Sequence, residues 1–267
     1  MTRTRALLRA CHPGPSAAVT TLTALLATGA GLGLARGALV TAAVATGQLS
    51  IGWSNDLIDS ARDRQAGRVD KPVAGKEVSE ALVRRATTVA LAACVLLSLA
   101  CGLASGLVHL VLGVGSGWAY NLVLKRTVWS SVPYAVAFGS LPAVVTLALA
   151  EPELPGPWTI LAGALLGVGA HLLNALPDLA DDVATGVHGL PQRLGAGRVR
   201  VLAPLVLLAG SAAALLGPAD AGASATVAVF AVTVVLALVA MTTRGRLPFL
   251  AAIGIALVDV LSLVVST

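Results

Sequence analysis

The chain has 267 residues, of which 57% are hydrophobic, 12% charged and 3% aromatic, and its mean hydropathy is +0.87. This composition excludes a water-soluble globular enzyme. The formal net charge is +5, but the basic residues are spread over short loops instead of forming one patch, which argues against nucleic-acid binding. The sequence therefore predicts a single integral membrane domain over residues 1–267, surrounded by membrane lipid.

Apolar segments long enough to cross a bilayer occur along the whole chain. We predict nine transmembrane helices, at 17–35, 38–55, 82–101, 104–123, 130–149, 158–176, 199–216, 222–242 and 247–265. Gly, Ala, Leu and Val dominate them, and small residues let helices approach closely in lipid. The basic N-terminus resembles that of a signal peptide, but its apolar run is longer and no convincing cleavage site follows. We therefore predict an all-α integral membrane protein with an uncleaved first span.

The distribution of charge predicts the orientation. With a cytoplasmic N-terminus, 17 of the 18 Lys and Arg residues lie on the cytoplasmic side, and only Arg36 lies outside. Positive residues are concentrated in cytoplasmic loops of membrane proteins. The prediction is thus a multi-pass protein of the cell membrane, with its acidic loops in the cytoplasm and its C-terminus outside.

An acidic cluster follows the second predicted span, in the segment Asn55-Asp56-Leu57-Ile58-Asp59-Ser60-Ala61-Arg62-Asp63. The spacing of Asp56, Asp59 and Asp63 places three carboxylates on one stripe of a helix that continues out of the span. Such like charges repel unless a cation lies among them. Mg²⁺ prefers hard oxygen ligands, with water and phosphate completing its shell. The cluster therefore predicts a magnesium site.

A second acidic cluster, Asp178-Leu179-Ala180-Asp181-Asp182, follows the sixth predicted span. Asp178 and Asp182 are four residues apart and so share a helical face, with Asn174 one turn earlier. Basic residues accompany the two clusters or lie in the loop after the fourth span: Arg62, Arg64, Arg68, Lys71, Lys125, Arg126 and Arg193. Carboxylates with a metal ion, together with guanidinium and ammonium groups, can hold and ionise a diphosphate, because both reduce the charge on the leaving group.

At these residues the sequence resembles the UbiA superfamily of intramembrane prenyltransferases. The family's first motif, Asn-Asp-x-x-Asp-x-x-x-Asp before a basic-Pro pair and Gly, is matched by residues 55–63, Arg68, Lys71, Pro72 and Gly75. The second, Asp-x-x-x-Asp before Gly and a Leu-Pro-x-x-Leu-Gly-like stretch, is matched by residues 178–182, Gly186 and 190–195. A Tyr-then-Lys-Arg signature corresponds to Tyr120, Lys125 and Arg126. The resemblance spans nearly the whole chain.

The resemblance implies a ring of nine helices around a central cavity, where Mg²⁺ and the two motifs bind an isoprenoid diphosphate. Its ionisation gives an allylic cation, which an acceptor captures. The residues expected to hold the metal and carry catalysis are Asp56, Asp59, Asp63, Asp178 and Asp182. The expected substrate-binding residues are Asn55, Arg68, Lys71, Tyr120, Lys125, Arg126 and Asn174.

The sequence departs from the common family pattern at three places. Lys71 stands where Arg often precedes the proline, one extra residue separates Tyr120 from Lys125, and Gly189 replaces a frequent Thr. The pattern assigns no definite role to Asp181 or His188. Asp259 lies within the last predicted span near its outer end. Two interpretations are open: a functional carboxylate, which is the default for an acid inside the membrane, or a side chain that reaches the membrane–water interface.

Three functions are compatible with the sequence. The favoured one is Mg²⁺-dependent transfer of a prenyl group from an isoprenoid diphosphate to a lipophilic acceptor, preferably aromatic, in terpenoid or quinone biosynthesis. The second is a terpene cyclase of the same superfamily, which needs no acceptor. It is less favoured because three Phe and two Tyr offer few aromatic faces to guide a cation. The third is a cation-coupled transporter. Such a protein is expected to carry its acidic residues midway through the spans, whereas these clusters lie at the cytoplasmic ends, so this function is the least favoured.

Overall fold

A computed structural model describes residues 3–68, 71–217 and 223–266, and these residues form helices without strands. The α-helices are α1 (Arg3–Ala10), α2 (Pro13–Gly29), α3 (Leu34–Gln65), α4 (Glu80–Ala100), α5 (Leu103–Val108), α6 (Gly115–Leu122), α7 (Val132–Thr146), α8 (Pro157–Ala175), α9 (Leu179–Ala184), α10 (Leu190–Leu216), α11 (Ala223–Thr242) and α12 (Leu247–Ser266). A π-helical stretch, His109–Val114, joins α5 to α6. The 3₁₀ turns Leu124–Arg126 and Leu176–Asp178 follow α6 and α8.

Six helical segments of the described chain are long and apolar enough to cross a membrane: Leu34–Gln65, Glu80–Ala100, Leu103–Leu122, Pro157–Ala184, Leu190–Leu216 and Leu247–Val264. Val132–Thr146 and Thr226–Thr242 are apolar but shorter, and α2 has 17 residues. Each predicted span overlaps a helix or a run of helices, but the break between the first two lies at residues 30–33, inside the first predicted span, and not at 36–37. Residue 222, the first of the eighth predicted span, lies outside the described residues. The all-helical, multi-pass class is therefore confirmed, whereas the count of nine crossings and the central cavity stay predictions.

The helices pack mainly on their neighbours in sequence, and α12 packs back on α2, which closes the series. Glycine permits the close contact of α7 with α8. A Cβ atom at Gly163 would lie 2.5 Å from the carbonyl oxygen of Phe138, and one at Gly167 would lie 2.6 Å from that of Tyr134. Small residues thus bring the backbones together, as expected for helices that associate in lipid.

The structure excludes one of the two interpretations of Asp259, that it reaches the interface. Asp259 is only 1% exposed and lies between α10 and α12, where the hydroxyl of Ser211 donates to its Oδ2 at 2.7 Å. Its Oδ1 is buried without a hydrogen-bond partner. Asp259 does not reach the interface, because α10 packs on the face of α12 that carries it. A polar contact between two helices is a common means of holding them together in a membrane.

Candidate active site

The first acidic cluster lies on the last turns of α3, which continues without a break to Gln65. The side chains of Asp56, Asp59 and Asp63 are all buried, so the predicted helical stripe is present and faces protein. The helix ends where Gly67 adopts a left-handed conformation, φ 70°, which glycine accepts without steric cost. Helix α3 thus begins in the apolar part of the bundle and places three carboxylates at one end of the bundle.

Two cations neutralise the middle of this stripe. Lys125, in the turn after α6, is buried and its Nζ donates to Oδ1 of Asp59. Nη2 of Arg62 lies 3.1 Å from Oδ2 of Asp59 and 3.7 Å from Oδ1 of Asp63. Burial lowers the pKa of Lys125, and the negative charge of Asp59 opposes this shift. The ion pair joins segments 66 residues apart, so the loop after α6 belongs to the same site as α3.

The second acidic cluster meets the first at the same end of the bundle. Nη2 of Arg68, just beyond α3, lies 3.4 Å from Oδ1 of Asp178, and its Nη1 lies 4.0 Å from Oδ2 of Asp181. Asp182 lies in the short helix α9 and accepts a hydrogen bond of 2.8 Å from Nε2 of Gln192. The 3₁₀ turn at Leu176–Asp178 separates Asp178 from the helix of Asp182, so the two are not on one continuous helix as predicted.

A small polar cavity lies where the two clusters meet. It has a volume of about 10 Å³ and is lined by Arg62, Asp63, Ala66, Arg68, Asp181, Asp182 and Thr185. This is about the space of one water molecule. Within the described ranges, no three His, Cys, Asp or Glu side chains converge closely enough to hold a metal ion by themselves. The donor set still suits Mg²⁺, which is usually bound by one or two carboxylates together with substrate phosphates and water.

The loop after α3 covers the first cluster. The backbone N–H of Val73 donates to Oδ2 of Asp56 at 3.1 Å, and Val73 is itself buried. The ammonium group of Lys71 is close enough to Asp56 and Asp63 to act on their charges. The basic-Pro pair of the first motif therefore folds back over the aspartates that precede it.

An amide network fixes α3 against α6. Nδ2 of Asn55 donates to Oδ1 of Asn121 at 3.0 Å. Nδ2 of Asn121 donates to the Ile51 carbonyl and to the Ser54 hydroxyl, both at 2.9 Å. Asn121 is 2% exposed and was not predicted from the sequence, since it lies outside the recognised motifs. Its effect is to hold Asn55 beside the aspartate stripe.

An aromatic cluster lies between α6, α7 and α8. The rings of Tyr120 and Tyr134 meet edge to face at 5.1 Å, and Tyr134 stacks on His171 at 4.4 Å and on Phe138 at 6.5 Å. Charges on Asp182 and Asp59 act on the Tyr120 hydroxyl, so this cluster lies within electrostatic range of the carboxylates. Three of the five Tyr and Phe residues of the chain are thus gathered beside the site.

Gly189 explains one departure from the family pattern. A Cβ atom there would lie 2.6 Å from the Lys125 carbonyl oxygen and 2.9 Å from the hydroxyl of Ser130. Ser130 also accepts a hydrogen bond of 2.9 Å from the backbone N–H of Leu190. The missing side chain lets the loop of the second motif press against the turn that carries Lys125, which leaves no space for a threonine.

Two predicted substrate-binding residues do not join this network. Arg126 and Asn174 are exposed, and their side chains make no hydrogen bond or ion pair within the described part of the chain. Arg62 plays a larger part than its sequence position indicated, since it pairs with Asp59 and lines the cavity shared with Asp182. Its Nη1 is buried without a hydrogen-bond partner.

The chain matches the model of the UbiA prenyltransferase family over residues 16–258. It belongs to the UbiA prenyltransferase family. A search of curated proteins finds no sequence match. The structure resembles a UbiA homologue from Archaeoglobus fulgidus bound to GPP and Mg²⁺, with a TM-score of 0.73 and 18% identity over 98% of this chain and 100% of that one.

Two further solved structures share the fold of this UbiA family member. The apo UbiA homologue from Aeropyrum pernix K1 has a TM-score of 0.75 and 17% identity, over 93% of this chain and 97% of that one. A digeranylgeranylglyceryl phosphate synthase has a TM-score of 0.69 and 14% identity, over 99% and 98% of the two chains. At these identities the similarity establishes the fold, and the chemistry depends on the site itself.

Proposed function

We propose that this protein transfers a prenyl group from an isoprenoid diphosphate to a lipophilic aromatic acceptor, with Mg²⁺ as its cofactor. The observation that carries the proposal is the meeting of two aspartate motifs with Arg62, Arg68, Lys71 and Lys125 at one end of the bundle. The family includes a homologue bound to GPP and Mg²⁺, which is the same combination of ligands.

The charged side chains of the site are suited to binding Mg²⁺ and a diphosphate together. Several carboxylates are paired with cations: Asp59 with Lys125 and Arg62, and Asp178 with Arg68. A divalent cation and a diphosphate can exchange with these partners, because the cation attracts the carboxylates and the phosphate oxygens attract the basic groups. The exchange leaves each buried charge compensated, which an anion or a metal ion alone would not do.

The residues proposed to hold Mg²⁺ are Asp56, Asp59, Asp63, Asp178 and Asp182. When bound there, the ion would withdraw charge from the phosphate oxygens of the leaving group. The carboxylates come from two separate segments, and Asp63 and Asp182 line the shared cavity together with Asp181. This arrangement favours a site completed by the substrate, since the chain does not gather a full ligand set by itself.

The protein's own residues promote the departure of diphosphate. The bond between the allylic carbon and the diphosphate oxygen breaks, and its electron pair leaves with the oxygen. Lys125, Lys71 and Arg68 offer hydrogen bonds to the charge that develops there. The acceptor's carbon then forms the new bond to the allylic carbon, and the acceptor loses a proton.

The aromatic cluster can stabilise the allylic cation after the diphosphate has left. Its faces come from Tyr120, Tyr134 and Phe138, and the charges of Asp59 and Asp182 act on Tyr120. Such faces are suited to stabilising a passing positive charge. A terpene cyclase is the second candidate, because the same rings could guide a cation towards ring closure. We favour transfer because this cluster contains most of the chain's Tyr and Phe residues, which leaves few for successive steps along a cyclisation path.

The experiment that tests the proposal supplies prenyl diphosphates of several lengths with Mg²⁺, alone and with pooled acceptors. The pool contains aromatic compounds and polar lipids, since one structural neighbour is a digeranylgeranylglyceryl phosphate synthase. A product whose mass joins chain and acceptor supports transfer. A cyclic hydrocarbon or alcohol formed without acceptor would establish the cyclase instead, and no release of diphosphate from any substrate would overturn both.

The aspartates provide a matched test of the metal site. Asp56→Asn and Asp182→Asn keep the shape of the side chain but remove the charge that attracts Mg²⁺. We expect each to lower diphosphate release by at least the 10- to 100-fold typical of residues that merely support metal ligands. Glu153→Gln removes an exposed acidic group elsewhere and should have no effect. Activity within about threefold of the parent in either aspartate variant would contradict the metal assignment.

A further inference from the structure

His12 lies outside both motifs, yet the structure brings it to the first aspartate cluster. The groups that act on its imidazole are Lys71, Asp59, Asn55 and Lys125, and all four are proposed site residues. Its Nε2 is buried and has no hydrogen-bond partner. A buried polar atom without a partner calls for an explanation, and at a binding site a ligand can supply the missing partner.

The N-terminal segment is built to hold this residue in place. A Cβ atom at Gly52 would lie 2.1 Å from the carbonyl oxygen of Cys11, so the chain just before His12 lies against α3 one turn before Asp56. The indole N–H of Trp53 donates to the Leu7 carbonyl at 2.9 Å. These contacts seat the end of α1 directly on the helix that carries the aspartates.

The backbone conformation of His12 also indicates that this residue has a functional role. His12 has φ 54° and ψ 64°, in the left-handed region, between α1 and α2. This conformation costs free energy for a residue with a side chain, and such residues are frequent at functional sites. The two helices therefore meet at a strained corner, and that corner holds the imidazole where the charges of Lys71 and Lys125 act on it.

We infer that His12 donates a hydrogen bond to the diphosphate of the bound substrate, so that the N-terminal segment completes the binding site. The inference rests on the proposed function, because it concerns the ligand held by Lys71 and Lys125. Burial and the charge of Lys71 lower the pKa of His12 to about 4. The proposed hydrogen bond places an N–H on Nε2, the ring nitrogen that has no partner in the structure.

The direct test is binding of inorganic pyrophosphate in the presence of Mg²⁺, measured by titration calorimetry on the full-length protein in detergent. His12→Gly removes the ring and suits the left-handed backbone. His12→Gln keeps an N–H donor near the position of Nε2. His188→Gln is the control, since His188 is exposed. Thermal unfolding without ligand checks that every variant is folded.

We expect His12→Gly to weaken pyrophosphate binding by about tenfold or more, the usual effect of losing a hydrogen bond to a charged group. His12→Gln should restore most of the affinity, and the control should match the parent. In turnover, the KM for the prenyl diphosphate should rise in His12→Gly while the KM for the acceptor is unchanged.

Three outcomes overturn the inference. Equal affinity in His12→Gly and the parent would show that the ring makes no contact with the diphosphate. Equal losses in His12→Gly and His12→Gln would assign the effect to packing. A rise confined to the acceptor KM would place His12 at the other substrate. Failure of the parent protein itself to bind pyrophosphate would instead refute the proposed function.

Discussion

Replacing Lys125 by methionine gives the sharpest test of the site. Methionine keeps much of the length of the side chain but removes the ammonium group that pairs with Asp59. Lys125 is 5% exposed and Asp59 is 6% exposed. Removing one partner of a buried ion pair typically costs about 3–5 kcal/mol of folding free energy, because the other charge remains buried.

The structure places the expected cost of Lys125→Met below that range. Nη2 of Arg62 is 3.1 Å from the other carboxylate oxygen of Asp59, so Asp59 keeps one cation. We therefore expect a loss of about 2 kcal/mol, close to the value of one charged hydrogen bond. Binding of the diphosphate should lose a contact of the same kind, which corresponds to a fall of about 10- to 100-fold in kcat/KM.

The assay is release of pyrophosphate from a prenyl diphosphate, together with thermal unfolding in the same detergent. Lys76→Met is the control, because Lys76 is an exposed lysine and its loss should change neither quantity. If Lys125→Met kept both its stability and a kcat/KM within about threefold of the parent, the proposed role of the buried ion pair in holding diphosphate would be refuted.

Three further predictions concern other parts of the fold. Gly189→Ala should reduce folding stability by about 1–3 kcal/mol, because the methyl group would lie 2.6 Å from a backbone carbonyl oxygen; unchanged thermal unfolding would contradict the tight contact. Ser211→Ala should cost about 1 kcal/mol in the same measurement, since it removes the 2.7 Å hydrogen bond to Asp259, and no loss would show that this bond does not stabilise the helix pair. A reporter fused after Arg126 should be cytoplasmic and one fused after Thr267 extracytoplasmic. Both reporters on one side would disprove the odd number of crossings predicted between Arg126 and Thr267.

Much of the architecture could be predicted from local patterns. Hydropathy over windows of bilayer length identifies the apolar helices, and the period of the α-helix places Asp56, Asp59 and Asp63 on one stripe. The structure confirms that stripe on a continuous α3. Its prediction succeeded because it depends only on residues within two turns of one another.

The arrangement around the stripe depended on segments far apart in the chain. The pairing of Lys125 with Asp59 spans 66 residues, and that of Arg68 with Asp178 joins the loops of the two motifs. The resemblance pointed to these residues as substrate-binding groups, but it could not state which carboxylate each one contacts. It also gave equal weight to the neighbours Lys125 and Arg126, of which one is buried and the other exposed.

The sequence by itself determined the class of protein, the positions of its apolar helices and the two acidic motifs, because each is a local or periodic property of the chain. Only the tertiary structure decided that His12 enters the site, that Gly189 must lack a side chain and that Asp259 is enclosed. Each of these depends on how one helix is rotated and seated against another. That rotation is set by packing over the whole bundle, which no single segment of sequence encodes.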